Sequence, residues 1–330
     1  MERLFLKEIR ERAEKGEPIS FELGLDVLNA SSDVLPDIFA VTNALRIRHF
    51  GNRVNLCSIV NARSGACTED CAFCAQSAYH KTEIDVYPLR GRDGIVDVYN
   101  KVDSTLPVNH FGVVTSGEAL TDDELDNVIS AISHKSRVNW CASLGTLSME
   151  QLLSLKKSGL KRFHHNLETS PDYFSKICTT HSYEERLRTV QNAKQAGLEV
   201  CCGGIFGLGE GFEDRVSFAL LLNELGVDAI PINFLVPVKG TRLENQPVMK
   251  PFDILRSIAM LRLVNPSTEI KVCAGRLLLG DLQSAIFWAG ASGMMIGDLL
   301  TIAGRSVTED IAMLDALGLI PVSAPVMCDN

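Results

Sequence analysis

Short apolar runs alternate with capped helical stretches along this chain, and that alternation restricts its architecture more than any other feature. The runs cover residues 54–60, 110–116, 138–144, 161–168, 199–206, 229–236, 269–275 and 293–297. Between them, Thr121-Asp-Asp-Glu124, Ser148-Met-Glu-Gln151 and Ser182-Tyr-Glu-Glu185 each fit a capping box, in which a hydroxyl and an acid or amide satisfy the free N–H groups opening a helix. Gly159, Gly197 and Gly226 stand where three of these helices should end. Strands alternating with helices pair in parallel through right-handed crossovers. Eight such units predict an α/β chain closed into a (β/α)8 TIM-type barrel. An open doubly wound sheet is the rival, disfavoured because no G-x-G-x-x-G turn follows the first strand.

Helical patterns over residues 4–12 and 37–48 precede the first strand. The expected organisation is a helical N-terminal segment over 1–50, the barrel over 51–320 and a short tail over 321–330. With 330 residues, 46% of them hydrophobic, the chain can bury a large core. A net charge of −9 argues against nucleic acid as a partner. No apolar run of membrane-spanning length and no signal peptide stand out, so the expectation is a cytoplasmic protein without a membrane partner. Ten cysteines in a chain this large and apolar are not needed as disulfide staples. In a reducing compartment clustered cysteines more often bind metal or do chemistry.

The cluster lies in residues 64–77, SGACTEDCAFCAQS, just beyond the first predicted strand. Barrel enzymes place their sites at that end of the strands. Cys67, Cys71 and Cys74 can hold three corners of an iron–sulfur cluster and leave one iron without a protein ligand. Structural zinc wants four ligands, and His80 is the only nearby fourth. Core filling by three cysteines fits poorly with the polar Thr68, Glu69 and Asp70 between them.

Period-two parity on the fourth strand puts His164, Asn166 and Glu168 on one face, where a bland barrel core would carry Val or Ile. Buried polar groups need partners; a bound ligand or a self-satisfied polar layer would both provide them. Gly203, Gly204, Gly207 and Gly209 surround Ile205, which suits either close approach to a ligand or a tight turn. Parity also aims Cys141 and Cys201 inward and leaves Cys202 facing the helices as a small hydrophobe. Taken alone, Arg186 reads as a solvated helix charge. Cys178 and Cys328 fall in loop or tail and receive no role.

The C-x3-C-x2-C stretch resembles the signature of radical S-adenosylmethionine (SAM) enzymes. LGTLS (144–148), HNLETS (165–170), GGIFGLGE (203–210), PINFLVPVKGT (231–241) and AGR (274–276) resemble the biotin synthase family over nearly the whole chain. The resemblance implies a sulfurtransferase that inserts sulfur into dethiobiotin. A [4Fe–4S] cluster on Cys67, Cys71 and Cys74 would bind SAM at its open iron, with Phe73 by the adenine. It further implies Asn166 and Glu168 at the SAM ribose and the substrate, His164 and Asn233 at the substrate, Ile205 at the adenine and Arg186 at the SAM carboxylate. By the same resemblance, Gly117 falls where other members place a turn near the methionine amino group. The family usually has Asn in place of His164 and Asp in place of Glu168.

The resemblance also implies an auxiliary [2Fe–2S] cluster, the sulfur donor, on three cysteines and an arginine. Two of the cysteines map onto Cys141 and Cys201 and the arginine onto Arg276, but the third falls on Gly112, which cannot bind iron. Cys57 and Cys273 stand where relatives commonly carry serine. The expectation is therefore an auxiliary cluster of the 4Fe type on Cys141, Cys201 and Cys273, with Cys57 or Arg276 nearby. Cys273 and Arg276 both face inward only if Gly275 breaks the strand. Implied partners are a flavodoxin or ferredoxin as electron donor, iron–sulfur assembly proteins and a second copy of the chain in a homodimer. The alternatives are a hydrogenase-maturation or methylornithine-forming barrel, or a non-catalytic iron–sulfur carrier. A carrier has no reason to surround its open iron with polar residues.

Overall fold

The apolar runs assemble as parallel strands β1 (Arg53–Arg63), β2 (His110–Thr115), β3 (Asn139–Ser143), β4 (Arg162–His164), β5 (Glu199–Cys201), β6 (Gly204–Phe206), β7 (Ala229–Phe234), β8 (Glu269–Val272) and β9 (Gly293–Met295). Neighbours follow chain order from β1 to β9, and β9 pairs back onto β1, which closes an eight-position barrel. A short β10 (Ile320–Pro321) adds to the outer end of β1. The computed structural model describes residues 2–135, 137–297, 300–301 and 304–322; most of the expected tail, with Cys328, lies outside them.

Two strands depart from the sequence expectation, for one reason. The fifth position, expected as a single run over 199–206, is split into β5 and β6 around Cys202 and Gly203. Here backbones approach too closely for side chains: a Cβ on Gly203 would lie 1.9 Å from the Pro231 carbonyl oxygen, and one on Gly204 2.2 Å from that of Glu168. The regular strand of the fourth run ends at His164; beyond it Leu167 and Glu168 both donate their N–H groups to the Gly203 carbonyl (3.0 and 3.2 Å), and a single parallel bridge joins Glu168 to Gly204. Glu168 adopts φ +69°, a left-handed conformation unusual for a residue with a side chain.

Outside the barrel the capping boxes at Thr121, Ser148 and Ser182 all form and start helices Asp122–Ile132, Met149–Ser158 and Tyr183–Gln195. Outward-facing Phe111 and Trp140 pack on Tyr99 from the helix layer, with Tyr99 and Trp140 stacked at 4.0 Å between ring centroids. Three helices fill the first fifty residues: α1 (Glu2–Lys15), α2 (Phe21–Asn29) and α3 (Leu35–Phe50). Helices α2 and α3 bury Leu23, Val27, Leu35 and Ile38 in the same core as the barrel.

Where α3 meets the barrel, Arg262 is completely buried. Its guanidinium donates to the carbonyls of Gly290 (2.8 Å), Asn265 (3.0 Å), Pro266 (3.0 Å) and Thr268 (2.8 Å). Replacing it by methionine would keep much of the volume and leave buried carbonyls without a donor. Arg262→Met is expected to cost about 3 kcal/mol, since removing one side of a buried charged network strands the other. Urea unfolding measures this, and a loss near zero would show that the loop satisfies itself.

Candidate active site inside the barrel

A cavity of about 410 Å³ runs from the barrel mouth toward its floor. Its mouth is formed by the cysteine-bearing loop. Gly65 (φ +73°) and Ala66 (φ +49°) turn the chain sharply off the end of β1. The loop then closes on itself: Cys67 N–H donates to the Gln76 carbonyl (3.0 Å), Ala78 N–H to the Cys67 carbonyl (2.8 Å), and the Ser77 hydroxyl to the Glu69 carbonyl (2.6 Å). His80 Nδ1 lies 2.8 Å from the Cys74 carbonyl, so this nitrogen is engaged in holding the loop. Cys67, Cys71, Cys74 and Phe73 all line the cavity.

Asp70 latches this loop to the segment after helix Pro171–Ile177. It accepts from Thr179 N–H (2.8 Å), Thr179 Oγ1 (2.6 Å) and Thr180 N–H (3.3 Å), and Arg242 lies 3.6 Å away. Burial opposes its charge, but the Thr179 donors outweigh it and hold the carboxyl well below the usual range. The latch brings Cys178 Sγ to 3.8 Å from Cys71 Sγ and 3.4 Å from His181 Nδ1, and Glu69 contacts that same nitrogen. Cys71 donates to Cys178, which pushes the Cys178 thiol down to about 4 and raises that of Cys71. Burial raises the Cys74 thiol to about 11.

Below the loop lies the polar face of the fourth strand. Arg186 donates through Nε to the Asn166 carbonyl (2.6 Å), faces Glu168 at 3.5 Å and touches His181 Nε2 at 3.1 Å. The solvated reading of Arg186 from sequence alone is therefore corrected: its side chain is only 16% exposed and faces the cavity. Asn166 Nδ2 donates to Glu168 (3.3 Å) and Asn166 Oδ1 accepts from Gly203 N–H (3.1 Å). Burial raises the Glu168 carboxyl, and lowers the His164 imidazole to about 4, which keeps it neutral near pH 7. Asn233 donates to the Gly204 carbonyl (3.1 Å) and accepts from Ala274 N–H (3.0 Å), so its amide ties strands together while facing the cavity. Ile205 and Gly117 line the wall; a Cβ on Gly117 would sit 2.4 Å from the Arg63 guanidinium.

The deeper wall carries four more thiols. Cys57, Cys141, Cys201 and Cys273 all line the cavity, and Gly112 pairs in register with Cys141. Burial raises the Cys141 and Cys201 thiols to about 12, opposed by the nearby cations Arg162 and Lys271. Arg162 donates to Glu269 (2.9 Å) and Glu199 (2.9 Å), and Lys271 pairs with Glu269 at 3.0 Å.

Arg276 does not line the cavity with this group, although its charge still acts on the Cys273 thiol. Gly275 does end the strand in a left-handed turn (φ +82°), but the Arg276 guanidinium pairs with fully buried Asp310 at 2.7 and 2.6 Å and lies outside the cavity lining. The cations that do face the sulfurs are Arg162 and Lys271, which the sequence expectation missed. A signal existed: each precedes an inward residue, His164 or Cys273, by two positions.

The donor chemistry suits iron–sulfur groups at both levels, soft thiols lining one cavity, with buried cations beside the deeper set to balance a polyanion. A closed parallel barrel whose first strand runs into a loop of three such cysteines is the architecture of a radical SAM enzyme. Residues 62–222 match the family model of the Radical SAM superfamily, and residues 231–320 that of the Biotin and Thiamin Synthesis associated domain. The chain is 50% identical over 307 residues to a biotin synthase of Maridesulfovibrio salexigens, covering 92% of this chain and 94% of that one. It is 43% identical over 318 residues to a biotin synthase of Clostridium perfringens (96% and 98% covered). The chain belongs to the biotin synthase family. Solved structures of methylornithine synthase (TM-score 0.83, 18% identity, 96% and 98% covered) and of a maturase of the [FeFe]-hydrogenase (TM-score 0.82, 18% identity, 97% and 76% covered) share its fold.

If Asp70 latches the cysteine loop as described, Asp70→Ala should lower the stability of the cluster-free protein by about 2 kcal/mol, the scale for losing hydrogen bonds to a charged acceptor. Proteolysis should then cut first within residues 64–82; an unchanged digestion pattern would speak against the latch.

Proposed function

We propose that this chain converts dethiobiotin to biotin, with the mouth of the cavity generating the reactive species and its deeper wall supplying sulfur. One observation carries the reading: a single cavity is lined both by Cys67, Cys71 and Cys74 at its mouth and by Cys57, Cys141, Cys201 and Cys273 further in, with the polar fourth strand also in its lining. Cys67, Cys71 and Cys74 would hold a [4Fe–4S] cluster, which would supply the electron for reductive cleavage of SAM, and Cys57, Cys141, Cys201 and Cys273 would hold an auxiliary cluster as the source of the sulfur atom. The remaining work falls to this chain's own side chains.

Arg186 presents a guanidinium to the SAM carboxylate. Asn166 and Glu168 offer an amide and a carboxylate to the ribose hydroxyls and the ureido ring of the substrate. Ile205 and Phe73 flank the adenine, and Gly117 leaves room near the amino group. Neutral His164 and Asn233 face the substrate without adding charge beside its apolar chain. Enclosure by the barrel keeps water from a species able to take hydrogen from unactivated carbon.

For the auxiliary cluster we infer a 4Fe type on Cys141, Cys201, Cys273 and Cys57, with Lys271 and Arg162 as the cations in place of Arg276. The same reading brings in a flavodoxin or ferredoxin as electron donor, iron–sulfur assembly proteins, a cytoplasmic setting and a homodimer. It divides the chain into the helical segment 1–50, the barrel 51–320 and the tail 321–330.

Anaerobic incubation of the loaded protein with SAM, dithionite and dethiobiotin is expected to yield 5′-deoxyadenosine and biotin. Cys67→Ala should abolish both products. Cys141→Ala and Cys273→Ala should lose biotin together with about four irons per chain, the content of one cubane. 5′-Deoxyadenosine without biotin in the unmodified protein would defeat the assignment. Unchanged iron in both deep variants would remove the auxiliary cluster. Arg276→Met, by contrast, should lower the unfolding midpoint while the folded fraction retains its iron; loss of iron there would restore Arg276 as a ligand.

A further inference from the structure

Cys178 and His181 have no part in the activity above, yet they stand against one of its cluster ligands. Donor atoms of Cys71, Cys178 and His181 all lie within 4.8 Å of one another. Their spacing, which hydrogen-bonded thiols also show, matches that of ligands around a metal. Tetrahedral coordination with metal–sulfur bonds of about 2.3 Å and metal–nitrogen bonds of about 2.0 Å sets sulfur–sulfur edges near 3.8 Å and sulfur–nitrogen edges near 3.5 Å. Here Cys71 Sγ and Cys178 Sγ are 3.8 Å apart, and Cys178 Sγ and His181 Nδ1 are 3.4 Å apart.

A fourth donor is at hand. Glu69 places Oε2 against the same His181 Nδ1, and the Thr180 hydroxyl donates to that oxygen at 2.5 Å. A metal ion taking the place of the proton shared by Glu69 and His181 would complete a set of two sulfurs, one nitrogen and one oxygen once the Glu69 carboxylate draws back, because bonds of about 2.0 Å hold the nitrogen and oxygen about 3.3 Å apart. The positions are enforced from outside the group: Asp70 ties the cysteine loop to Thr179 and Thr180, and Ala72 N–H donates to the Ile177 carbonyl at 2.8 Å. Access is through the cavity, which Cys71, Glu69 and His181 line, while Cys178 is 2% exposed behind them.

We propose that the cluster-free chain binds one thiophilic divalent cation, of the ferrous or zinc kind, through Cys71, Cys178, His181 and Glu69. Binding releases the Cys71 thiol proton, and the proton between Glu69 and His181 is passed to the other ring nitrogen, with no change of oxidation state. Cys71 cannot serve this ion and an iron–sulfur cluster together, so the two occupants exclude one another; this clause rests on the cluster assignment made above. With metal on Nδ1, the imidazole proton moves to Nε2, and Arg186, now 3.1 Å from Nε2, must give up that contact.

Anaerobic titration of cluster-free protein with Co2+ tests the site, because cobalt bound to thiolate shows a charge-transfer band. Cys67→Ser/Cys74→Ser protein removes the two loop cysteines outside the site. Compared with it, the triple variant adding Cys178→Ser should lose one cobalt equivalent and the matching part of the band. The deep cysteines contribute equally to both proteins and cancel. His181→Ala in the double-variant background should weaken that equivalent at least tenfold, and unfolding midpoints of each variant identify any failure to fold. Should Cys178→Ser itself unfold the chain, cadmium-113 resonance of the double variant reads the same ligand set directly, with a two-sulfur shift expected. Equal cobalt with and without Cys178, or a cadmium shift without two sulfurs, overturns the site. Failure of the enzymatic assignment would instead appear as missing biotin and would leave the cobalt count as it is.

Discussion

The pairing of β9 with β1, through Asn55–Gly293, Leu56–Met294 and Cys57–Met295, is the constraint on which the site depends. An open sheet would leave the first and last strands at opposite edges. Closure puts Cys57 from the first strand and Cys273 from just beyond β8 on the lining of one cavity with Cys141 and Cys201. It also removes both edges, so the inward residues of every strand see the same enclosed space. The two-level arrangement, sulfurs at the mouth and sulfurs deeper in, follows from strand direction. The cysteine loop leaves the C-terminal end of β1, and the other four lie on or beside the strands themselves.

Charge is the second organising element. Arg162, Lys271, Glu269 and Glu199 form a buried network that would be an expensive way to hold a barrel together, since desolvating ions costs about as much as pairing them returns. Its cost makes more sense beside a polyanion. Arg162 and Lys271 both oppose the burial that raises the Cys141 and Cys201 thiols, and so favour the thiolate state a metal group requires. The Arg276–Asp310 pair has the opposite character. It is bidentate, enclosed and outside the cavity lining, a structural tie between the turn after β8 and helix Val307–Ala316.

Much of this was legible beforehand. Alternation and capping chemistry are local, so the barrel order and the starts of its helices could be read directly. Period-two parity aimed Cys141 and Cys201 inward, as the structure has them. Parity failed where strands stop being strands. The close approach of Gly203 and Gly204 to neighbouring carbonyls breaks the fifth run in two and turns Glu168 left-handed, and no propensity marks an approach between distant segments. Arg186 was misread without the resemblance, because an arginine on a helix is usually solvated and only the packing of that helix over the fourth strand buries it.

The sequence by itself determined the barrel class, the three-cysteine loop and the family, since these rest on spacing and local pattern along one segment at a time. Only the tertiary structure decided which charges meet the deep sulfurs. It gave that place to Lys271 and Arg162 and sent Arg276 to Asp310. It also brought Cys178 and His181 to Cys71, more than a hundred positions away in the chain. Both are pairings between remote segments, set by strand register and by the Asp70 latch; parity marks Arg162 and Lys271 as inward, but which segments meet is not written in the order of residues.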